Sequence, residues 1–327
     1  MGFSEIIGHQ KPLETLRAAL ANGRLHHAYL MLGPEGVGKR TIALSLAKAI
    51  HCNELENDFC GNCPNCSRIQ TGNHPDVRTI EPGAGKKEIG IQQIREIEKE
   101  LNFRAFSGKK IAIIDPAILM NSAAQNALLK TLEEPPRDAL LILIASNTGG
   151  LLPTLRSRCL RLSFGPLPRG LIADFLLAKD TMTRDEAQFV AAMSMGSMGT
   201  ALELDREELS AQRQSWIDMM SSLTLGDYRT ALNAAETLSG SREESLRFLA
   251  WVETWYRDLL VHALTQETRE LINLDMLPQI QRQSGTAKLD SILLSLSQIA
   301  GATARIQRNL NRRMVLEALF IGAVEAR

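Results

Sequence analysis

A glycine-rich turn joins an apolar run to a helical one, and that junction fixes the fold class. Residues 33–41 read Gly-Pro-Glu-Gly-Val-Gly-Lys-Arg-Thr, directly after Ala28-Tyr29-Leu30-Met31-Leu32. The apolar run is short and ends at glycine, so it reads as a strand buried on both faces. The segment 41–50 carries Ile42, Leu46 and Ile50 at the spacing of an amphipathic helix. Gly33, Gly36 and Gly38 let backbone N–H groups wrap around phosphate oxygens, and Lys39 adds a point charge. The pattern needs a hydroxyl directly after the lysine to hold Mg²⁺, and that position is Arg40. Thr41 offers a hydroxyl one residue later, about 100° further round the helix.

The alternation continues through the first half. Lys110-Ile111-Ala112-Ile113-Ile114-Asp115 and Ala139-Leu140-Leu141-Ile142-Leu143-Ile144-Ala145 read as two more buried strands. Helices are expected over 91–101, on Ile91, Ile94, Ile97 and Leu101, and over 121–134, stopped by Pro135-Pro136. Strands interleaved with helices imply a parallel sheet covered on both faces, with ligands at the C-terminal strand ends. Gly33, Asp115 and Asn147 are expected together there. Asp115 is placed to position Mg²⁺, and Asn147 to orient water near a γ-phosphate. ATPases of this kind follow the aspartate with a glutamate that polarises the attacking water; here Pro116 follows. Gly165-Pro166-Leu167-Pro168 reads as a linker, and beyond it only helical periodicity remains. Three domains are expected: an α/β nucleotide-binding-like domain at 1–165, a small helical domain at 166–207 and an all-helical domain at 208–327.

Cys52, Cys60, Cys63 and Cys66 are separated by seven, two and two residues. Four thiolates so close suit a tetrahedral Zn²⁺ with every position filled by protein, hence a structural site. Free or redox-active thiols and an iron–sulfur cluster are the alternatives. Cys159 lies apart and reads as a buried small residue. The opening Met1-Gly2-Phe3-Ser4-Glu5 has neither the basic start nor the apolar run of a signal peptide. No stretch approaches the ~18 apolar residues of a membrane span. A reducing, cytoplasmic setting is expected, where cysteines mean metal or chemistry before disulfides. Lys+Arg and Asp+Glu both number 37, so the chain lacks the basic excess of a free-standing nucleic-acid binder.

Several local patterns then converge. Leu128-Leu129-Lys130-Thr131-Leu132-Glu133-Glu134-Pro135-Pro136 and Leu152-Pro153-Thr154-Leu155-Arg156-Ser157-Arg158-Cys159 resemble signatures of the bacterial DNA polymerase III clamp-loader subunits, an AAA+ family. His26-His27-Ala28-Tyr29-Leu30 before the loop and the cysteine knuckle after it are similar to the same family, and most of all to its delta-prime branch. The motifs cover residues 3–165; the likeness is looser through 205 and rests on helical content beyond. It implies an α/β AAA+ P-loop domain with a zinc module at 52–66, a helical lid domain, and an all-α collar domain that joins a five-subunit ring. It implies gamma or tau and delta subunits, the sliding clamp and primed DNA as partners, in a hetero-oligomer away from any membrane. Ser157-Arg158-Cys159 is similar to the family's arginine-finger motif, which reaches the γ-phosphate of ATP on a neighbouring subunit.

The departures from that family carry information too. Its motor subunits, gamma and tau, have Lys-Thr in the loop, Asp-Glu after the strand and an Arg in the lid. This chain has Lys39-Arg40, Asp115-Pro116 and Gly199 in Gly196-Ser197-Met198-Gly199. The expectation is a stator that hydrolyses no ATP, is no polymerase, and gives Arg158 in trans, with Ser157 expected as a catalytic residue beside it. Gly33, Gly36, Gly38, Lys39, Thr41, Asp115 and Asn147 remain a candidate site for ATP or ADP. Two readings stay open beside it: an active motor that tolerates Arg40 and Pro116, and a zinc-dependent nucleic-acid-binding module. In the tail, Leu246, Leu249, Trp251, Trp255, Leu259 and Leu260 make a broad apolar helix that needs a partner face, its own core or another subunit. Arg305, Arg308 and Arg312 fall at helical spacings, with Arg313 beside them.

Overall fold

The strand that precedes the glycine loop lies inside a five-stranded parallel sheet. The computed structural model describes residues 2–83, 85–179, 182–223, 226–268 and 271–325, so Met1 and Arg327, the ends of the expected first and last domains, fall outside. Along the chain come α1 (Gln10–Ala21), β1 (Ala28–Leu32), α2 (Lys39–His51), α3 (Pro64–Gln70), β2 (Val77–Ile80), α4 (Ile91–Leu101), β3 (Lys110–Ile114), α5 (Ser122–Glu133), β4 (Ala139–Ala145), α6 (Pro153–Arg156) and β5 (Leu160–Ser163). The strand order is β2-β3-β4-β1-β5. Leu30 pairs with Leu143, and Ile113 with Ile142.

Alternation along β4 feeds two cores. Leu140, Ile142 and Ile144 pack with Leu16, Ile42 and Leu46 on one face. Leu141 and Leu143 pack with Ile94 and Leu128 on the other. Burial on both faces is why β1, β3 and β4 read as unbroken apolar runs. The edge strands β2 and β5 expose half or more of their residues, so they carry no such signal. Asn121 caps α5, its side-chain oxygen accepting the Ala124 N–H at 2.9 Å.

The chain divides into two compact units. One is Met1–Pro168 with Ser197–Gly199; the other is Arg169–Gly196 with Thr200–Arg327. The second is helical among its described residues: α7 (Arg169–Ala178), α8 (Arg184–Met193), α9 (Met198–Glu203, whose first turn belongs to the first unit), α10 (Arg206–Ser222), α11 (Tyr228–Leu238), α12 (Arg242–Thr265), α13 (Leu277–Ser284), α14 (Leu289–Gln307) and α15 (Arg312–Glu325). Its core is built around α12. Phe248, Leu249, Trp251, Trp255 and Leu259 are buried against Trp216, Ile299, Leu316 and Phe320, with Leu246 and Leu260 partly buried around them. The apolar helix of the tail therefore finds its partner face within its own unit.

The arginine row does not survive as one helix face. The chain leaves α14 at Gln307, passes Asn309 in a left-handed conformation and starts α15 at Arg312. Arg312 Nε donates to the Ser239 carbonyl at 3.2 Å, and Arg313 pairs with Glu236 and Glu317. No helix among the described residues is long and apolar enough to cross a membrane.

Candidate functional site

The loop between β1 and α2 is shaped by contacts that only glycine permits. A Cβ on Gly33 would overlap the Phe164 carbonyl, which follows β5. Gly36 has φ +69°, a left-handed conformation, and a Cβ there would meet Ser197 Oγ. Lys39 opens α2 and is buried, its Nζ donating to the carbonyls of Gly33 at 2.6 Å and Pro34 at 2.5 Å. Burial pulls its ammonium below the ordinary value, while Asp115 and Glu35 hold it up.

Arg40 occupies the metal's side of the loop. Its guanidinium pairs with Glu81 and lies 3.6 Å from Asp115 Oδ2. Burial pushes the Asp115 carboxyl up, opposed by Arg40 and Lys39 and reinforced by Glu81 and Glu35. These residues do not fit a magnesium ion. The helix position that should give a hydroxyl gives a fixed cation, and the carboxylate that should approach the metal already faces that cation. Thr41 is exposed one position beyond. Glu81 was not anticipated from the sequence. Its signal, an acid directly after a strand, is hidden because the half-exposed β2 has no apolar run to mark it.

The Ser197–Gly199 turn packs onto this loop within the same unit. The Gly199 N–H donates to the Gly36 carbonyl at 2.9 Å, and a Cβ on Gly199 would lie 3.1 Å from Gly36 Cα. Position 199 is thus docked backbone to backbone, with no room for a long side chain unless the loop moves. Gly36→Ala should destabilise the first unit by about 1–3 kcal/mol, combining left-handed strain with displacement of Ser197. Urea unfolding would measure it, and an unchanged midpoint would count against this packing.

Asn147 stands at the same sheet edge, two residues past Ala145, whose carbonyl accepts the Gly33 N–H at 3.2 Å. Its side-chain oxygen accepts the Gly149 N–H at 2.8 Å and so closes its own turn. Of the expected set, Gly33, Gly36, Gly38, Lys39 and Asp115 lie around the loop, Thr41 is exposed on the first turn of α2, and Asn147 follows β4 with its oxygen engaged by Gly149.

Ser157 and Arg158 follow the short helix α6, anchored by buried Leu155. Gln125 pins the preceding loop. Its amide donates to the Met120 and Gly150 carbonyls and accepts the Leu152 N–H, all within 2.9 Å. Arg158 Nη1 donates to the Thr154 carbonyl at 2.8 Å, and Nη2 pairs with Glu133 Oε1 at 2.7 Å at the end of α5. The pair is open to solvent, with side chains 35% and 51% exposed. Ser157 Oγ donates to the same Thr154 carbonyl at 3.0 Å. Cys159 is only partly exposed, and burial pushes its thiol up to about 12.

The four knuckle cysteines do converge. Their Sγ atoms all lie within 4.8 Å of one another, and Cys63 and Cys66 are buried. The Cys63 N–H points at Cys60 Sγ (3.2 Å) and the Cys66 N–H at Cys63 Sγ (3.5 Å). Burial raises the Cys63 thiol, but backbone groups of Asn53 and Cys66 outweigh it and bring it down to about 6; burial pushes Cys66 up to about 12. Four convergent thiols with backbone N–H groups aimed at sulfur fit a closed tetrahedral metal site. Buried His51, His74 and Asp76 cluster too, but Asp76 already meets Lys110 at 2.9 Å and the N–H groups of Phe106 and Ser107, which marks it as a structural brace.

The model of the family described as "DNA polymerase III, delta subunit" matches residues 8–168. The DNA polymerase III subunit delta' of Escherichia coli (strain K12) is 30% identical over 316 residues, 94% of this chain and 92% of that one. The subunit delta' of Pseudomonas aeruginosa is 32% identical over 306 residues, 90% of each. Among solved structures, a DNA polymerase III gamma subunit-related protein from Thermotoga maritima is 23% identical and covers 96% of this chain and 98% of its own, with a TM-score of 0.41.

Proposed function

The chain belongs to the family of DNA polymerase III delta-prime subunits, and on that premise we propose that it is the non-hydrolysing subunit of a clamp loader. It gives Arg158 in trans to ATP on a neighbouring gamma or tau subunit and helps place the sliding clamp on primed DNA. The observation that carries the first half is the Arg40 guanidinium 3.6 Å from Asp115. A carboxylate so paired is not free to position a catalytic metal, and Pro116 supplies no base beside it. The second half rests on Arg158 standing at the surface on a pinned loop, held by one exposed acid.

The knuckle at 52–66 holds structural zinc in this reading. Residues 166–207 serve as the lid and 208–327 as the collar within a hetero-oligomer in the cytoplasm. Support for a collar surface lies on α14, where Leu289, Leu293 and Leu294 are exposed at 41%, 46% and 54%, and on α15, where Met314 is exposed.

The test mixes the purified chain with gamma and delta subunits and follows ATP hydrolysis with and without it, and by the chain alone. The expected result is silence from the chain alone and stimulation of the complex. Hydrolysis by the chain alone, lost on Lys39→Ala, would instead make it a motor.

A further inference from the structure

We infer that the loop at 33–41 holds the phosphate chain of a nucleotide without a divalent cation, with Arg40 standing where the ion would be. This rests on the reading of a non-hydrolysing subunit and adds what its loop binds and how. The machinery for phosphate is present: a glycine loop, the N-terminus of a 13-residue helix, and the Lys39 ammonium facing into the loop. The obstacle is charge. Glu35, Glu81 and Asp115 all act electrostatically on this spot, and a polyphosphate brought beside them would be repelled.

A metalled site removes that repulsion with a bound ion. Here the offset is covalent. Arg40 pairs with Glu81 and approaches Asp115, so two of the three carboxylates are answered before any ligand arrives. A guanidinium has five N–H donors, more than these two pairs use. The same guanidinium opposes a divalent ion, which would have to share Asp115 with a like charge within a few ångströms. The ligand class that follows is a nucleoside diphosphate. A third phosphate adds charge that one fixed cation meets less well than an ion would.

The experiment is equilibrium binding of a fluorescent ADP to the full chain, read by anisotropy in excess magnesium and in excess EDTA. The expected dissociation constants agree within about twofold, and Lys39→Ala abolishes binding, which ties the probe to the loop. Arg40→Thr restores the hydroxyl and frees Asp115, so its affinity should gain at least about tenfold dependence on magnesium. A wild-type affinity that weakens about tenfold or more in EDTA overturns the inference, as does binding that is absent or indifferent to Lys39→Ala. The wild-type comparison decides the matter even if Arg40→Thr folds poorly. Each of those failures leaves the trans-acting reading standing. Hydrolysis by the chain alone would remove both.

Discussion

Replacing Arg158 by alanine is expected to slow ATP hydrolysis at the interface this subunit serves by about 10³-fold or more, with assembly intact. Two magnitudes separate catalysis from structure. Within this chain Arg158 is held by the Thr154 carbonyl and by Glu133, a pair with side chains 35% and 51% exposed. An exposed ion pair contributes about 0.2–1 kcal/mol, so its loss barely touches the fold, and exchanging Glu133 for a phosphate costs little. An arginine finger worth about 10³–10⁵ in rate corresponds to roughly 4–7 kcal/mol of transition-state stabilisation. Arg158→Lys should fall between, because it keeps the charge but loses the planar fork. Ser157→Ala should do little, since its hydroxyl only closes the turn on Thr154. Steady-state turnover of the reconstituted complex, beside size-exclusion of the assembly, makes the measurement. Turnover unchanged by Arg158→Ala would sink the trans-acting role.

What the sequence disclosed about this site follows from how local each signal is. The glycine loop, Lys39 and the misplaced Arg40 lie within nine consecutive residues, and the cysteine knuckle within fifteen, so spacing alone located them. The central strands were legible because burial on both faces removes polar residues from them. The partners of the two key arginines were not. Glu81 lies 41 residues from Arg40, and Glu133 lies on α5 before the last two strands, so only the folded sheet brings them near. The return of Ser197–Gly199 to the loop has no local signature either, since a backbone-to-backbone contact leaves no side-chain pattern beyond the glycines that permit it. Asn147 shows the converse. A polar residue after a strand suggests a group that orients water near a phosphate, and the fold adds that its oxygen also closes its own turn on Gly149. In the tail, periodicity found the apolar helix and could not say what covers it. The arginine row breaks because α14 stops at Gln307 and Asn309 turns left-handed in the middle of a pattern that spacing alone would continue.

Stripping metal from the knuckle is expected to lower the melting temperature of the first unit by roughly 10 °C or more, the equivalent of several kcal/mol in a unit of this size. A structural zinc stabilises an isolated module by on the order of 10 kcal/mol. Part of that should appear here, because Cys63, Cys66, Phe59 and Ile69 belong to the same core as Ile42 and Leu46 of the helix behind the glycine loop. Without a cation the thiols resist ionising together: burial holds Cys66 near 12 while its neighbour Cys63 sits near 6. A bound divalent ion reverses that preference and draws all four into thiolates. The net negative charge left over would face the buried Lys48, which is electrostatically coupled to Cys66 and lies over the Phe59 ring. Cys66→Ala should reproduce the loss caused by a chelator, and Cys159→Ala should not, since Cys159 stands outside the cluster. Calorimetry on metal-replete and chelated protein, with metal content determined on the same samples, separates the cases. One zinc per chain with a coupled fall in melting temperature supports the structural site. A visible charge-transfer band would mean an iron–sulfur cluster instead. A fully metal-free chain that melts unchanged would reduce the knuckle to four well-packed thiols.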